Sequence, residues 1–202
     1  MPRINPRTSE ITCKVVYYGA GNSGKTTNLI QLHSLSDAEA RTSLVGVSAE
    51  AERSVFFEYF AADLGRVANY RLRAEFYTVP GQAYFTSTRR LILDQVDGIV
   101  FVVDSDPMRF RDNERSLDDL RNDLGSYGRS VEEVPLVVQL NKRDLVDAMP
   151  EAELARHFNP LGRPVRPASA RQGDGVEATR DAILASVFED LKRRVQRGRP
   201  NV

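Results

Sequence analysis

Residues 15–29 read VVYYGAGNSGKTTNL. An apolar run ends at Tyr18, a glycine-rich turn follows, and a helix-compatible stretch begins near Lys25. Gly19, Gly24, Lys25 and Thr26 match G-x-x-x-x-G-K-[ST] without a gap. The spacing has a physical cause. Glycines let the backbone wrap closely around a phosphate, and consecutive N–H groups at a helix N-terminus turn partial positive charge towards it. The cradle runs Gly19-Ala20-Gly21-Asn22-Ser23-Gly24-Lys25-Thr26-Thr27. In it Lys25 is a point charge for the β- and γ-phosphates, and Thr26 offers a hydroxyl to magnesium. Glycine-rich strings also arise by chance in turns. The strand before this one and the helix after it supply the context that phosphate binding needs.

Short apolar runs alternate with helical patterns along the chain, which reads as α/β with a mostly parallel sheet. Residues 11–18 (ITCKVVYY), VFFEYF, RLRAEFYTV, GIVFVVDS and LVVQLN read as strands. The last two are nearly continuous apolar runs, as buried parallel strands should be. In RLRAEFYTV, residues Leu72, Ala74, Phe76 and Thr78 share one face. Helical stripes run through Leu117, Leu120, Leu124 and Tyr127, and through Val176, Thr179, Ile183, Val187 and Leu191. Pro150 suits the first turn of a short helix reaching about His157. Residues 35–54 show no period and read as a long mobile loop, a length that usually carries function. The organisation expected is one domain over 10–195 with tails at 1–9 and 196–202.

The chain has 202 residues, 41% of them hydrophobic and 28% charged, as in an ordinary globular domain with a full core. Its 28 basic residues equal its 28 acidic ones, so no bulk electrostatic pull towards nucleic acid is expected. The single cysteine, Cys13, lies in an apolar run and fits a buried small hydrophobe in a reducing cytoplasm. No apolar run approaches the roughly 18–20 residues of a membrane span, and neither end carries a lipidation motif. The basic KRRVQRGR near the C-terminus suits a helix dipole and solvation, with weak peripheral contact to anionic lipid as the other reading. His33 and His157 have no metal-ligand spacing and read as structural, and Asp104 reads as a strand-end or capping residue.

The phosphate loop alone does not separate ATP from GTP. LVVQLNKRD supplies the discriminating residues, Asn141, Lys142 and Asp144 of an N-K-x-D pattern. A carboxylate at Asp144 accepts hydrogen bonds from guanine N1–H and its 2-amino group, and adenine has neither donor on that edge. Each charge-assisted bond is worth about 1.5–3 kcal/mol. Lys142 can lay its stem along the base, and Asn141 can tie this loop to the phosphate loop. In PASARQG, Ser169 and Ala170 follow a short apolar stretch, where the Ala170 N–H can meet guanine O6.

These residues resemble the Ras-like small GTPases, and more closely the bacterial MglA-type gliding-motility and polarity GTPases. The cues are VVYYGAGNSGKTTNL, ERSVFFEYF, FYTVPGQ, RRLILDQVDGIVFVVDS and QLNKRDL, in order over about residues 10–190. FYTVPGQ is telling, because that family carries Thr at the Thr78 position where most Ras-like proteins have Asp. The resemblance implies a three-layer P-loop NTPase fold, the Ras-like G domain. It implies GTP/GDP and Mg2+ as ligands and a slow GTP hydrolase. Gly81 would place its N–H on the γ-phosphate and Gln82 would orient the attacking water. Arg53 would be an arginine finger in cis, its other reading being a solvated loop charge. Thr26 and Ser54 would be the magnesium ligands, Ser54 standing where the family usually has Thr. Thr78 would hold a magnesium-bound water. Ala49 replaces a hydroxyl residue common upstream. The family further implies a roadblock-fold, MglB-type homodimeric activator, effectors that read the GTP state, a monomer on its own, and cytoplasmic location that turns polar with GTP. Two other classes fit parts of the pattern: a nucleotide-binding scaffold with little or no hydrolysis, and an ATP-using P-loop enzyme, which Asn141-Lys142-x-Asp144 disfavours.

Overall fold

The computed structural model describes residues 2–48, 55–67 and 69–197. Eight strands form one sheet: β1 (Arg3–Asn5), β2 (Glu10–Tyr18), β3 (Val45–Ser48), β4 (Val55–Val67), β5 (Tyr70–Thr78), β6 (Gly98–Asp104), β7 (Leu136–Asn141) and β8 (Val165–Pro167). The helices are α1 (Lys25–Leu35), α2 (Thr86–Leu93), α3 (Phe110–Gly125), α4 (Glu151–Phe158) and α5 (Val176–Arg197). The sheet order is β3-β4-β5-β2-β6-β7-β8, with β1 on β2. Strands β5, β2, β6, β7 and β8 run parallel, and β1, β3 and β4 add antiparallel pairings.

The period-2 alternation of β2 divides the core. Cys13, Val15 and Tyr17 pack with Leu29 and Leu32 of α1 and Val176, Ile183 and Val187 of α5. Val16 and Tyr18 pack on the other face with α2, α3 and α4 through Ile92, Leu120, Leu124, Leu154 and Phe158. The result is a three-layer sandwich. Strands β6 and β7 are buried at every residue, which is why their sequences are continuous rather than alternating. In β5 the expected face is buried at Leu72, Ala74, Phe76 and Thr78.

Three segments differ from the sequence expectation. The N-terminal stretch expected as a tail contains β1, antiparallel to β2, with Arg3 paired to Glu75 at 2.8 Å. The aperiodic loop holds β3, which hairpins onto β4 in register with Phe57–Tyr59, and Arg41 bridges Ala62. Short strands with little apolar periodicity leave no sequence signal; the neighbouring edge supplies their pairing. Tyr127 lies beyond the end of α3 and is 43% exposed, its hydroxyl donating to the Arg90 carbonyl, so the stripe ends at Leu124. The stripe of α5 is buried from Val176 to Val187, and Leu191, its last expected member, is only half-buried.

The carboxyl ends of β2, β5, β6, β7 and β8 lie along one edge of the sheet, and β2 sits between β5 and β6. That is a topological switch point, where parallel sheets open a crevice for ligands.

Candidate functional site

Strand β2 delivers the chain to Gly19 at this edge. Gly24 adopts φ +100°, and a Cβ there would lie 2.2 Å from Asn141 Nδ2, so only glycine fits. Helix α1 has no side-chain cap and no acid in its first turn, which contains Lys25, Thr26 and Thr27. Its leading N–H groups therefore face the loop without side-chain partners, the arrangement that favours an anion. Lys25 is 6% exposed, and its ammonium donates to the carbonyls of Gly19 at 2.8 Å and Ala20 at 2.7 Å. Burial pushes it down to about 8, with the Glu58 carboxylate pulling the other way. A buried ammonium beside an uncapped helix N-terminus suits a phosphate.

The base loop is tied to the phosphate loop as its sequence predicts: Asn141 Nδ2 donates to the Ser23 carbonyl at 2.7 Å. Beneath them lies a buried amide network. Gln139 of β7 exchanges hydrogen bonds of 2.9 Å with Asn28 of α1 and donates to Thr179 of α5 at 3.0 Å. Asp144 accepts from the Ser169 hydroxyl at 2.6 Å, a bond that holds its carboxyl below the ordinary range. Lys142 takes φ +65° and pairs with buried Asp104 at 2.6 Å. The Ala170 N–H, expected to meet guanine O6, donates to Asn141 Oδ1 at 2.9 Å within the protein.

At the end of β5, Thr78 is buried and committed to β4. Its hydroxyl accepts the Glu58 N–H at 2.8 Å and donates to the Glu58 carboxylate. The same carboxylate accepts from Thr26 Oγ1 at 2.8 Å. Thr78, expected to hold a magnesium-bound water, has the Glu58 carboxylate beside its hydroxyl. Gly81 lies against the phosphate loop, where a Cβ would come within 2.4 Å of the Gly21 nitrogen. Gln82 is exposed, and its carbonyl accepts from Arg89 at 2.8 Å. Ala49, Arg53 and Ser54 lie outside the described residues.

Sequence reasoning missed three contributors, Glu58, Arg89 and Arg109, and gave Asp104 only a strand-end or capping role. Arg109 donates to the Gly21 carbonyl at 2.8 Å. Only Glu58 left a trace in the sequence, as an acid among the aromatics of VFFEYF on the face shared with Phe60. Asp104 does more than end a strand, since it holds Lys142. His33 meets the Thr42 carbonyl and the Phe60 ring, and His157 pairs with Glu114, so both are structural. Among the described residues no group of three or more His, Cys, Asp or Glu side chains is placed to hold a metal. A groove near Tyr127, Arg129, Asp190 and Arg194 lies at the opposite edge of the sheet, away from these loops.

The model of the ADP-ribosylation factor family matches residues 5–186. The chain belongs to this family. It is therefore a Ras-like small GTPase, a GTP hydrolase built on a P-loop fold. It is 40% identical over 193 residues to the Mutual gliding-motility protein MglA of Myxococcus xanthus (strain DK1622), covering 96% of this chain and 99% of that protein. It is 27% identical over 187 residues to ADP-ribosylation factor-like protein 3 of Chlamydomonas reinhardtii, covering 90% and 94%. The match to MglA, with the family match, supports the MglA-type assignment. No helix among the described residues is long and apolar enough to cross a membrane.

The donor chemistry at this small-GTPase site fits the ligands of the family. An uncapped helix N-terminus with a buried ammonium suits phosphates, and hydroxyl and carboxylate oxygens at Thr26, Thr78 and Glu58 suit a hard divalent cation.

Proposed function

We propose that this chain is a guanine-nucleotide switch that binds GTP and GDP with Mg2+, hydrolyses GTP slowly, and controls cell polarity or motility through partners that read its GTP state. The observation that carries this reading is the Asn141–Ser23 bond, which sets a guanine-reading loop against a phosphate loop at the switch point of the sheet. The backbone of residues 19–27 and the Lys25 ammonium hold the phosphates. Asp144, oriented by the Ser169 hydroxyl, reads the guanine edge, and Lys142, steadied by Asp104, flanks it. Thr26 and Ser54 are the hydroxyl ligands for Mg2+. The ion, when bound, supplies charge neutralisation at the phosphates. Gln82 orients the attacking water, and Arg53 acts as a cis arginine finger worth about 10³–10⁵ in rate. Gly81 reports the γ-phosphate through its backbone, so nucleotide state orders or releases residues 35–54 and 80–90.

A monomeric, cytoplasmic G domain over 10–195, polar when loaded with GTP, with a roadblock-fold dimeric activator completes the reading. The activator presses on these two nucleotide-ordered segments to seat Arg53 and Gln82. The test is single-turnover GTP hydrolysis with Mg2+, with and without a candidate roadblock dimer. Stimulated turnover in the wild type, abolished by Arg53→Ala and slowed by orders of magnitude in Gln82→Leu with GTP binding retained, is the expected result. Tight GTP binding with no turnover in either condition would replace it by the scaffold reading. Unchanged stimulation in Arg53→Ala would remove the cis finger.

A further inference from the structure

The Asp that most Ras-like proteins carry three residues before the Gly81 position is Thr78 here, so the magnesium side of the site lacks its usual carboxylate in β5. The fold brings one back from a different strand. Strand β4 pairs antiparallel with β5, setting Tyr59 opposite Tyr77 and Phe60 opposite Phe76. One residue earlier, Glu58 meets Thr78 across the ladder, and its N–H donates to Thr78 Oγ1 at 2.8 Å. Alternation puts Glu58 on the face of Phe60, which packs towards α1. The side chain therefore reaches the start of α1, where one carboxylate oxygen accepts from Thr26 Oγ1 at 2.8 Å and the other accepts from Thr78 Oγ1. It also acts electrostatically on Lys25. Three oxygen donors from three elements converge beside the phosphate loop.

We propose that Glu58 is the magnesium-side carboxylate of this protein, moved from β5 to the adjacent strand, and that Thr78 positions it. This rests on the guanine-nucleotide reading above. The physical need is plain. Magnesium keeps most of its water and is held in nucleotide sites by one or two carboxylates together with phosphates. Two threonine hydroxyls are neutral and place no anion near the ion. Glu58 restores the missing charge, and the Thr78 hydroxyl, donating to one oxygen, fixes the carboxylate's orientation. The substitution of Thr for Asp in β5 and the acid in an otherwise aromatic β4 segment then form one compensated pair.

The test uses the full chain loaded with fluorescent GDP. The rate of GDP release is followed against free Mg2+, and Mn2+ binding to the GDP complex is followed in parallel by electron paramagnetic resonance. Glu58→Gln keeps the shape and one acceptor oxygen but removes the charge. It should raise the Mg2+ needed for half-maximal slowing of release by about 10–100-fold, as loss of a metal-supporting partner does. Release in EDTA gives each variant its own metal-free baseline against which the Mg2+ midpoint is read, and circular dichroism shows that the fold is intact. Glu58→Gln/Thr78→Asp, which returns a carboxylate from β5, should restore the wild-type midpoint. An unchanged midpoint in Glu58→Gln overturns the proposal. So does a lowered one, which would make Glu58 a competitor for Thr26, and so does a raised midpoint that Thr78→Asp fails to reverse. If the wild-type chain holds no guanine nucleotide at all, the functional reading falls and this inference falls with it.

Discussion

Asp123 of α3 is 1% exposed and sits at the centre of a buried polar knot. It accepts from Tyr18 Oη at 2.8 Å, Arg89 Nε at 2.9 Å and Arg90 Nε at 3.2 Å. Arg89 is 3% exposed and carries the knot onward, to the Gln82 carbonyl at 2.8 Å and the Thr86 hydroxyl at 3.1 Å. Asp123→Ala would strand the Arg89 guanidinium. Removing one partner of a buried pair costs about 3–5 kcal/mol. Asp119, 41% exposed and 3.4 Å from Arg89, remains as a weak substitute, and the Arg90 contact is half in solvent, so the low end of that range applies. A loss of about 3 kcal/mol in a chain of 202 residues lowers the melting temperature by about 6–12 °C. The assay is thermal and urea denaturation at fixed GDP and Mg2+, since bound ligand adds to apparent stability. Hydrogen exchange at residues 82–86 should rise in the same variant, because Arg89 holds the Gln82 carbonyl. Arg89→Met/Asp123→Leu removes both charges and should recover much of the loss, since apolar replacement of a whole buried pair is often neutral. A loss below about 1 kcal/mol in Asp123→Ala, or a double variant worse than the single one, would refute the view that charge burial dominates this knot.

Two further outcomes follow from the same physics. Asp144→Asn, nearly isosteric, should weaken GDP binding about 10-fold or more through one lost charge-assisted bond while leaving the melting temperature of the nucleotide-free chain unchanged; titration calorimetry with GDP and IDP reads it, and equal affinities to wild type would remove Asp144 from base recognition. Burial pushes the Cys13 thiol from 9.0 up to about 12, so the unfolded thiol ionises over a pH range where the native one does not. The native state then binds the extra proton, and the thiol's contribution to stability falls as pH rises through that window. Urea denaturation should show this added loss in the wild type and not in Cys13→Ala, and native Cys13 should resist alkylation at pH 8 until the chain unfolds.

The parts of this protein legible in sequence are those written in contiguous residues. Gly19 to Thr27 specify their loop locally, because glycine tolerance, strand and helix onset, and the Lys25 ammonium are all set within nine residues. The apolar runs of β6 and β7 and the stripe of α5 declare their burial by period, since each must hide a whole face. Asn141 and Asp144 are readable because a strand end fixes where their side chains emerge. The tertiary structure alone decided the rest. The strands β1 and β3 form because an open edge accepts them. Asp104 reaches Lys142, Arg89 reaches Gln82, and Glu58 reaches both Thr26 and Thr78 across neighbouring elements. Sequence by itself pointed to a phosphate loop and an N-K-x-D loop at one edge of a parallel sheet. Which charges balance that edge was decided by the fold, because Coulomb attraction and hydrogen bonding act over a few ångströms of space, and only the register of packed strands determines which distant residues come that close.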